Sequence, residues 1–294
     1  MPLVTVIIVN FNAGQALLRS VSSALASPSV STVAVADNAS RDSSLGDLVR
    51  VLGDDSRLKI HKSAENLGFA RAVNLLARDC NDPYLLILNP DCELQDGAVE
   101  HLVFALESDA AAGLAGPWVT DGAGRGQKGT WRRLPDPKRA IMTFTGLATL
   151  FSQDSMFEGV ERSHEAPPTG PTKVEAVSGA CMLLRRSAFQ DVGPFDEQYA
   201  MHCEDLDLMH RLQLGGFHCL LVPDAGAIHV GGVSSASRPW WVHRQKHAGM
   251  QRYFSKFLAS GHAPPFRWLV YAGIWMHYVA TLPMVAFKRV FGGS

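Results

Sequence analysis

The last 70 residues of this 294-residue chain contain no acidic side chain, and Asp224 is the final carboxylate. The same segment carries eight basic residues, although the formal net charge of the whole chain is only −1. That near-neutral balance excludes a general nucleic-acid binder. A segment with cations alone predicts an anionic partner, either phosphate or a membrane surface. The eight cations are Arg238, Arg244, Lys246, Arg252, Lys256, Arg267, Lys288 and Arg289.

Cysteine and charge are both scarce. The five cysteines are odd in number and include no C-x-x-C pair, so a reducing, cytosolic compartment is expected. Charged residues make up 19% and hydrophobic residues 47%, which predicts a substantial core in one large domain or a domain with an appendage. The apolar run 3–9 has no basic leader before it, so we expect no signal peptide.

Short apolar runs alternate with helical patterns through the first 120 residues. The predicted strands are 3–9, 32–37, 58–61, 84–88 and 113–119, and the predicted helices are 14–26, 43–52, 69–79 and 96–107. This alternation predicts βαβ units and an α/β fold with a mostly parallel sheet flanked by helices. A long loop is predicted over 120–172, followed by strands at 174–186 and 217–223 and a helix at 204–214.

Polar clusters follow three of the predicted strands: Asn10-Phe11-Asn12, Asp37-Asn38-Ala39-Ser40 and Asn89-Pro90-Asp91. Ligands of parallel sheets bind beyond the carboxyl ends of the strands, so we expect the three clusters to line one crevice. In the third cluster Glu93 closely follows Asp91, and the repulsion between two carboxylates has to be offset. A metal–diphosphate site would offset it, whereas a simple turn would need only Asn89 and Pro90.

A second pair of carboxylates, Glu204 and Asp205, opens the predicted helix 204–214 in "HCEDLDLMHRLQLGG". Acidic residues favour the positive end of the helix dipole, so simple helix capping is one interpretation and a catalytic role is the other. Further along, Asp207 and Arg211 have the spacing of an i,i+4 ion pair, which contributes about 0.2–0.5 kcal/mol on a helix surface. We expect that pair to be supporting structure.

The order of these segments is more specific than any one of them. Eight short segments follow one another along the chain in this order: N-x-N, "DNAS", "NLGFARAVN", "NPD", "SGACMLLRR", "GPFDE", "EDLDLMHRL" and "HVGG". The series resembles the family 2 inverting glycosyltransferases with the GT-A fold, especially their rhamnosyltransferase-like branch. The resemblance runs from about Leu3 to Gly232 and implies a nucleoside diphosphate sugar as the donor.

The resemblance also implies which residues bind the donor. Asp37 would accept a hydrogen bond from a pyrimidine N–H, and Arg71, after the turn at Gly68, would meet a phosphate. Two simpler interpretations remain open, in which residues 37–40 form only an Asx-type turn and Arg71 is only an exposed helix cation. The implied donor-binding set is Asn10, Asn12, Asp37, Asn38, Asn66, Gly68, Arg71, Asn89 and Asp91.

"NPD" occupies the place of the family's D-x-D motif, so Asn89 replaces the first carboxylate and Asp91 is retained. The resemblance implies that Asp91 binds a divalent cation, Mg²⁺ or Mn²⁺, with His229 of "IHVGG" as a further ligand. Glu93 is a third candidate ligand, and the other interpretation of this residue is that its side chain faces solvent. For His229, the other interpretation is a structural role. The missing carboxylate at Asn89 predicts a weaker metal site than in the family.

In the family the last carboxylate of the E/D-D pair is the general base, which corresponds to Asp205 here. Such a base removes the proton of the acceptor hydroxyl as that hydroxyl attacks the sugar. Attack opposite the departing diphosphate gives a single displacement with inversion. Glu204 is expected to position the acceptor or orient a neighbour.

The basic, aromatic segment 237–257 has two interpretations. It is either an amphipathic helix packed on the catalytic domain, or a phosphate-binding segment that uses Arg238, Arg244, Lys246 or His247. The apolar stretch 268–287 predicts a helix in the membrane interface, with a membrane span and a core helix as alternatives. We therefore expect a GT-A domain at 1–235, with a donor half at 1–119 and an acceptor half at 120–235, and a helical tail at 236–294.

The favoured hypothesis is rhamnose transfer from a dTDP-sugar to a saccharide or polyprenyl-diphosphate-linked acceptor in surface polysaccharide synthesis. It predicts a cytoplasmic protein with peripheral contact to the inner face of the membrane through 236–294. Glucose, galactose or mannose donors would use much the same residues. Two other classes remain open: a non-catalytic nucleotide-sugar-binding scaffold, and a membrane-anchored assembly partner whose tail is the working part.

Overall fold

The computed structural model describes residues 3–144, 159–163, 165–231 and 238–291. Gly232, where the motif series ends, lies outside the described residues, as do Ser237 and the middle of the predicted loop 120–172. The structure confirms the alternation predicted for the first 120 residues, with element ends within two residues of those expected. The strands are β1 (Val4–Asn10), β2 (Val30–Asp37), β3 (Leu58–Lys62) and β4 (Tyr84–Leu88), and the helices are α1 (Gln15–Ala26), α2 (Ser44–Leu52), α3 (Phe69–Arg78) and α4 (Ala98–Ser108).

These four strands form a parallel half-sheet in the order β3-β2-β1-β4. β1 and β4 lie inside the sheet and every residue in them is buried. Strands covered by helices on both faces need apolar side chains at every position, which explains the unbroken runs "VTVIIVN" and "YLLIL".

The second half adds antiparallel neighbours to this sheet. Its elements are β5 (Cys92–Leu94), β6 (Ala112–Thr120), β7 (Trp131–Arg132), α5 (Pro137–Phe144), β8 (Thr172–Val174), β9 (Ala176–Val177), β10 (Cys181–Arg185), α6 (Arg186–Val192), α7 (Glu204–Leu214) and β11 (His218–His229). β10 lies antiparallel between β4 and β6, and the main order continues as β4-β10-β6-β11-β5.

Two of the later strand predictions need correction. The single strand predicted over 174–186 is wrong, because three separate strands occupy this region and pair with different neighbours: β8 with β11, β9 with β7, and β10 with β4 and β6. The strand predicted over 217–223 continues to His229, past a register shift between Val222 and Gly226. Both differences depend on pairing with distant segments, which an apolar run does not encode.

Hydrophobic side chains fill both faces of the sheet. Alternate residues of β1 point to opposite sides, with Ile8 packing in the cluster that includes Leu17 of α1 and Leu102 of α4. Ile7 packs in the cluster on the other face, which includes Phe189 of α6 and Met209 of α7. The carboxyl ends of the parallel strands β1, β2 and β4 lie side by side at one edge of the sheet.

The basic, aromatic segment forms helix α8 (Pro239–Tyr253), which packs directly on the catalytic region. A Cβ at Gly249 would lie 2.8 Å from the backbone oxygen of His202, so the absence of a side chain permits this close approach. Tyr253, at the end of α8, is buried, and Phe254 beyond it is buried too. The packed-helix interpretation of this segment is confirmed.

Two cations of this segment are neutralised within the protein. Arg252 and Lys256 both reach Asp196, at 2.6 and 2.9 Å. Lys256 also lies 2.6 Å from Asp207, which forms the predicted pair with Arg211 at 2.7 Å. The predicted i,i+4 pair is therefore confirmed, and because Asp207 is fully buried, the pair belongs to a buried network that ties the segment after α8 to α7.

Helix α9 (Pro264–Phe291) contains the predicted stretch 268–287 and lies against α8. It is long and apolar enough to cross a membrane by length and composition, and almost none of it is buried. Trp268 is 74% exposed, and Leu269 and Met276 are more than 60% exposed. The core-helix interpretation is therefore wrong.

Candidate active site

A cavity of about 550 Å³ opens at the carboxyl ends of the parallel strands. All three predicted polar clusters contribute to its lining, the first through Phe11, the second through Asn38 and the third through Asp91 and its neighbours. Asn66, Gly68, Arg71 and Asn89 from the implied donor-binding set line it as well. Topology explains the convergence, because parallel strands bring their carboxyl ends to the same edge of the sheet.

Three residues of the implied donor-binding set do not line this cavity: Asn10, Asn12 and Asp37. The Asn10 side chain is fully buried and its Nδ2 donates to Asp37 Oδ1 at 2.8 Å. Asp37 is 4% exposed, and its Oδ2 accepts from the backbone N of Ser40 at 3.2 Å, which is the Asx-type turn. Asn12 has a positive φ of 53° and accepts from the backbone N of Arg41 at 2.7 Å. These residues shape the loop around the cavity.

The turn before α3 is held by two amide side chains. Gly68 has a φ of +81°, which favours glycine, and its backbone N donates to Asn66 Oδ1 at 2.9 Å. Asn38 Nδ2 donates to the Gly68 backbone oxygen at 3.2 Å, so the second polar cluster is tied to this turn. Arg71 follows with a largely exposed side chain, 3.3 Å from Glu197 in the same cavity.

Asp91 and His229 line this cavity and are in contact with each other. Gln127 Nε2 donates to the backbone oxygen of His229 at 2.8 Å, so the other amide atom, Oε1, faces His229 Nδ1 at 2.7 Å. An amide oxygen can only accept, so Nδ1 carries a proton. Nε2 lies 3.1 Å from Asp91 Oδ1, so either a proton between the two atoms or a cation bound by both would satisfy this pair.

A divalent metal fits these two atoms. Ligand atoms about 2.1 Å from a metal lie about 3 Å apart when they occupy adjacent octahedral positions, which matches the Asp91–His229 separation. Among the described residues, no group of three or more His, Cys, Asp or Glu side chains is arranged to hold a metal. This part of the chain thus offers two candidate ligands, and Mg²⁺ or Mn²⁺ commonly takes its other ligands from substrate phosphates and water.

The structure does not bring Glu93 to this pair. β5 runs antiparallel to β11, and Glu93 points to the opposite side, where its Oε1 lies 2.6 Å from Arg19 Nε. This ion pair offsets the carboxylate repulsion expected between Asp91 and Glu93. Sequence reasoning also missed Gln127, because nothing in the glycine-rich loop distinguishes it before the loop packs on β11.

Asp205, in the first turn of α7, is held by contacts from two distant segments. Arg132 of β7 reaches Asp205 Oδ2 with Nη2 at 2.6 Å and also donates to the backbone oxygen of Val177. Gly179 lies so close that a Cβ there would be 2.7 Å from Asp205 Oδ2. The glycine of "SGAC" therefore leaves room for the Asp205 carboxylate. Sequence reasoning did not identify Arg132, because its neighbour Arg133 has the same local pattern.

The neighbouring carboxyls Asp205 and Glu204 have opposite pKa shifts. Burial raises the pKa of Asp205, but the charge and hydrogen bond of Arg132 outweigh burial and lower it below its usual range. Burial and then the charge of Asp205 raise the pKa of Glu204 to about 8. Glu204 Oε2 is buried, and no donor in the described part of the chain reaches it. At neutral pH, Asp205 is thus ionised beside a neutral Glu204.

This difference predicts how stability depends on pH. The pKa of Glu204 is about 8 in the folded chain against 4.5 in the unfolded chain, so the folded chain holds the extra proton between these values. The free energy of unfolding therefore falls as pH rises from 4.5 towards 8. Glu204→Gln has no proton to lose, so we expect its Tm to exceed that of wild type by at least about 3 °C near pH 8.

Thermal unfolding of wild type and Glu204→Gln near pH 5 and near pH 8 tests this prediction. The Tm difference should be much smaller at the lower pH, which lies only just above the unfolded pKa of 4.5. Glu65→Gln, at an exposed position, is the control and should change Tm equally little at both pH values. Equal Tm values for wild type and Glu204→Gln at the higher pH would contradict the prediction.

A second cavity, of about 350 Å³, contains Asp205, Arg132 and Lys246. His202 lines this cavity and also the first one, so the two cavities meet at this residue. Asp205 therefore lies in one cavity and the Asp91–His229 pair in the adjoining one. A nucleotide-linked group in the first cavity and a second substrate beside Asp205 would come together at His202.

Helix α8 contributes to both cavities. Arg238 and Trp241 line the first cavity, where the Arg238 guanidinium lies 5.4 Å from the Phe11 ring centre, and Lys246 lines the second. His247, another candidate phosphate ligand, is buried between helices, with Nε2 2.9 Å from His277 Nδ1 of α9. The structure therefore places His247 in the α8–α9 contact and does not bring it to either cavity.

Comparison with solved structures identifies the architecture. A mannosyltransferase from Pyrobaculum calidifontis, solved in complex with GDP-Man and Mn²⁺, superposes with a TM-score of 0.59 over 97% of this chain and 73% of its own at 17% identity. Staphylococcus aureus TarS, solved with UDP-GlcNAc, superposes with a TM-score of 0.57 over 97% of this chain and 75% of its own at 14% identity. These neighbours confirm the expected GT-A fold.

Comparison of sequences identifies the family. An N-acetylglucosaminyl-diphospho-decaprenol L-rhamnosyltransferase of Mycobacterium tuberculosis is 29% identical over 279 residues, covering 90% of this chain and 87% of that protein. The model for glycosyl transferase family group 2 matches residues 145–291. The model for glycosyl transferase family 2 matches residues 5–193, which include the strand-end clusters and the glycine beside Asp205. The chain is a glycosyltransferase that belongs to family 2.

Proposed function

We propose that this glycosyltransferase moves rhamnose from dTDP-rhamnose to a saccharide carried on a polyprenyl diphosphate. The observation that carries the proposal is the pair of joined cavities, with Asp91 and His229 in one and the ionised Asp205 in the other. The rhamnosyltransferase relative supports the choice of sugar and acceptor. In this arrangement residues 1–119 form the donor half, 120–235 the acceptor half, and 236–294 the tail that packs beside both.

The donor occupies the first cavity. Asn38, Gly68 and Arg71 line the wall next to α3. Asp37 does not line this cavity and is held by Asn10 and Ser40, so it supports the loop beside the donor. Arg71 and Arg238 supply positive charge for the two phosphates. Both side chains are exposed within the cavity, so they can approach the diphosphate without breaking a buried contact.

Asp91 and His229 would hold a divalent cation in the same cavity. When bound, the cation stabilises negative charge on the departing nucleoside diphosphate. Gln127 keeps the imidazole in the tautomer that presents Nε2 to the cation, as partners beyond the direct ligands of a metal often do. Asn89 lines the cavity without adding charge to the site.

Asp205 accepts the proton of the acceptor hydroxyl while the hydroxyl oxygen forms a bond to the anomeric carbon. The bond from that carbon to the diphosphate oxygen breaks on the opposite face, so the configuration inverts. Arg132 keeps Asp205 ionised and fixes one of its oxygens, which leaves the carboxylate in the protonation state that a base requires. The neutral Glu204 avoids a second charge beside it.

The tail would contact the inner face of the membrane from the cytoplasmic side. The outward surface of α9 carries Trp268, Leu269, Met276, Val279 and Met284, all largely exposed. No carboxylate occurs on α9, so nothing in this helix repels an anionic lipid surface. A helix with this surface lies in the membrane interface, where a lipid-linked acceptor is accessible.

Nucleotide release from a panel of dTDP-, UDP- and GDP-sugars, measured with a lipid-linked acceptor and with or without Mn²⁺, tests the proposed function. We expect dTDP-rhamnose to be preferred and chelation of the metal to abolish release. Asp91→Asn should raise the Mn²⁺ concentration for half-maximal activity at least about tenfold, because one of two protein ligands is lost.

Glu93→Gln is a matched control, because Glu93 is a carboxylate near Asp91 that the structure ties to Arg19 instead. We expect this variant to keep the Mn²⁺ dependence of the wild type. Preference for another nucleotide sugar would overturn the assignment of rhamnose. Donor binding without nucleotide release under any of these conditions would overturn the enzymatic proposal and favour a nucleotide-sugar-binding scaffold.

A further inference from the structure

The second cavity has an apolar end that neither donor binding nor proton transfer uses. Helices α5, α8 and α9 and the turn after α8 enclose it, and the turn contributes Phe254, which is 4% exposed. The apolar side chains of this end are Ala140, Met250, Phe254, Leu258, Val270 and Ile274. An apolar wall formed by these side chains, in the same cavity as a reactive carboxylate, is suited to a hydrocarbon segment of a substrate.

The other end of the same cavity is charged. Asp205 is already paired with Arg132, whereas Lys246 has no carboxylate within ion-pair distance in the described part of the chain. An anionic group at this end would therefore meet the charge of Lys246 without competing with an internal partner. The cavity thus has the pattern of an amphiphile: a cation and a general base at one end, and hydrocarbon at the other.

Helix α9 relates this cavity to the outer surface of the protein. Val270 and Ile274 face the cavity, and Ile274 is 8% exposed. Leu269 and Met276 lie on the outward side of the same helix and are more than 60% exposed. A chain leaving the apolar end would therefore stay in contact with α9 as it passes from the cavity to the helix surface that faces a membrane.

We propose that the second cavity binds the lipid segment of the acceptor. The first part of an isoprenoid chain lies between α5, α8 and α9, the diphosphate lies at Lys246, and the saccharide reaches Asp205. This inference rests on the proposed function, and it assigns to α9 the role of a wall of the acceptor site in addition to membrane contact.

The test compares two acceptors that carry the same N-acetylglucosaminyl diphosphate group, one linked to a prenyl chain and the other to a methyl group. Wild type should show the lower KM for the prenyl acceptor. Val270→Trp should raise that KM about tenfold, because the larger side chain occupies the apolar end, and should leave the KM for the methyl acceptor and for the donor unchanged. Ala140→Trp fills the cavity from the opposite wall and should have the same effect.

Leu269→Trp is the matched control, since Leu269 is adjacent to Val270 in sequence but faces outward. It should leave both acceptor KM values unchanged when the prenyl chain is short and the assay contains no membrane. Equal KM values for the two acceptors in wild type, or unchanged prenyl-acceptor KM in both cavity variants, would overturn this inference while leaving the enzymatic function intact. Absence of transfer to either acceptor would overturn the proposed function and this inference together.

Discussion

Replacing Asp205 with asparagine is expected to lower kcat for sugar transfer by about 10²–10⁴-fold, the usual contribution of a general base. Asparagine has nearly the same size and can still accept a hydrogen bond from Arg132, so the surrounding packing is retained. It cannot accept the acceptor proton. Because Asp205 lies in the second cavity, donor affinity in the first cavity should stay at the wild-type value.

Steady-state kinetics with a saturating donor, together with a separate measurement of donor binding, test this prediction. Asp136→Asn is a suitable control, because Asp136 is another carboxylate that lines the same cavity and starts helix α5, where asparagine also caps well. That variant should keep most of its activity. If Asp205→Asn keeps the wild-type kcat, Asp205 is not the general base.

Alanine at Gly179 is expected to reduce kcat about 100-fold, although the change adds only one methyl group. The new Cβ would lie 2.7 Å from Asp205 Oδ2 and 3.1 Å from Asp205 Cβ, so the whole side chain of Asp205 has to shift. Arg132 holds that side chain from the other side. A misplaced base loses its alignment with the acceptor hydroxyl, while the donor cavity stays intact.

The double variant Gly179→Ala/Asp205→Asn distinguishes this explanation from general destabilisation. If both changes act through one carboxylate, the double variant should be no slower than Asp205→Asn alone. Gly170→Ala is the control, because no atom lies within 4 Å of a Cβ at that position. Full additivity of the two losses, or wild-type kcat in Gly179→Ala, would contradict the assignment.

Regular patterns in the sequence were sufficient to predict the strands and helices of the first half of the fold. The apolar runs of β1 and β4 and the polar residues after them predict parallel strands and a site at their carboxyl ends, and Phe11, Asn38 and Asp91 do meet in one cavity. The predictions fail where one run is divided among partners. Residues 172–185 form three strands, because β11 pairs with the first part of them, β7 with the second, and β4 and β6 with the third.

The same contrast holds within the site. Recognisable motifs contain Asp91, His229, Glu204 and Asp205, so the sequence alone identifies these residues as candidate site residues. Their chemical states depend on partners that are far apart along the chain: Gln127 selects the tautomer of His229, and Arg132 lowers the pKa of Asp205. Neither partner has a local pattern that separates it from its neighbours.

The family, the alternation of strands and helices in the amino-terminal half and the identities of the candidate ligand and base were thus determined by local sequence, because each depends on residue type and short-range spacing. Tertiary structure alone decided that Glu93 pairs with Arg19, that Gly179 admits the Asp205 carboxylate, and that α9 walls a cavity on one side while exposing apolar residues on the other. These features arise from contacts between segments distant in sequence, where a side chain's role depends on which partner the fold brings to it.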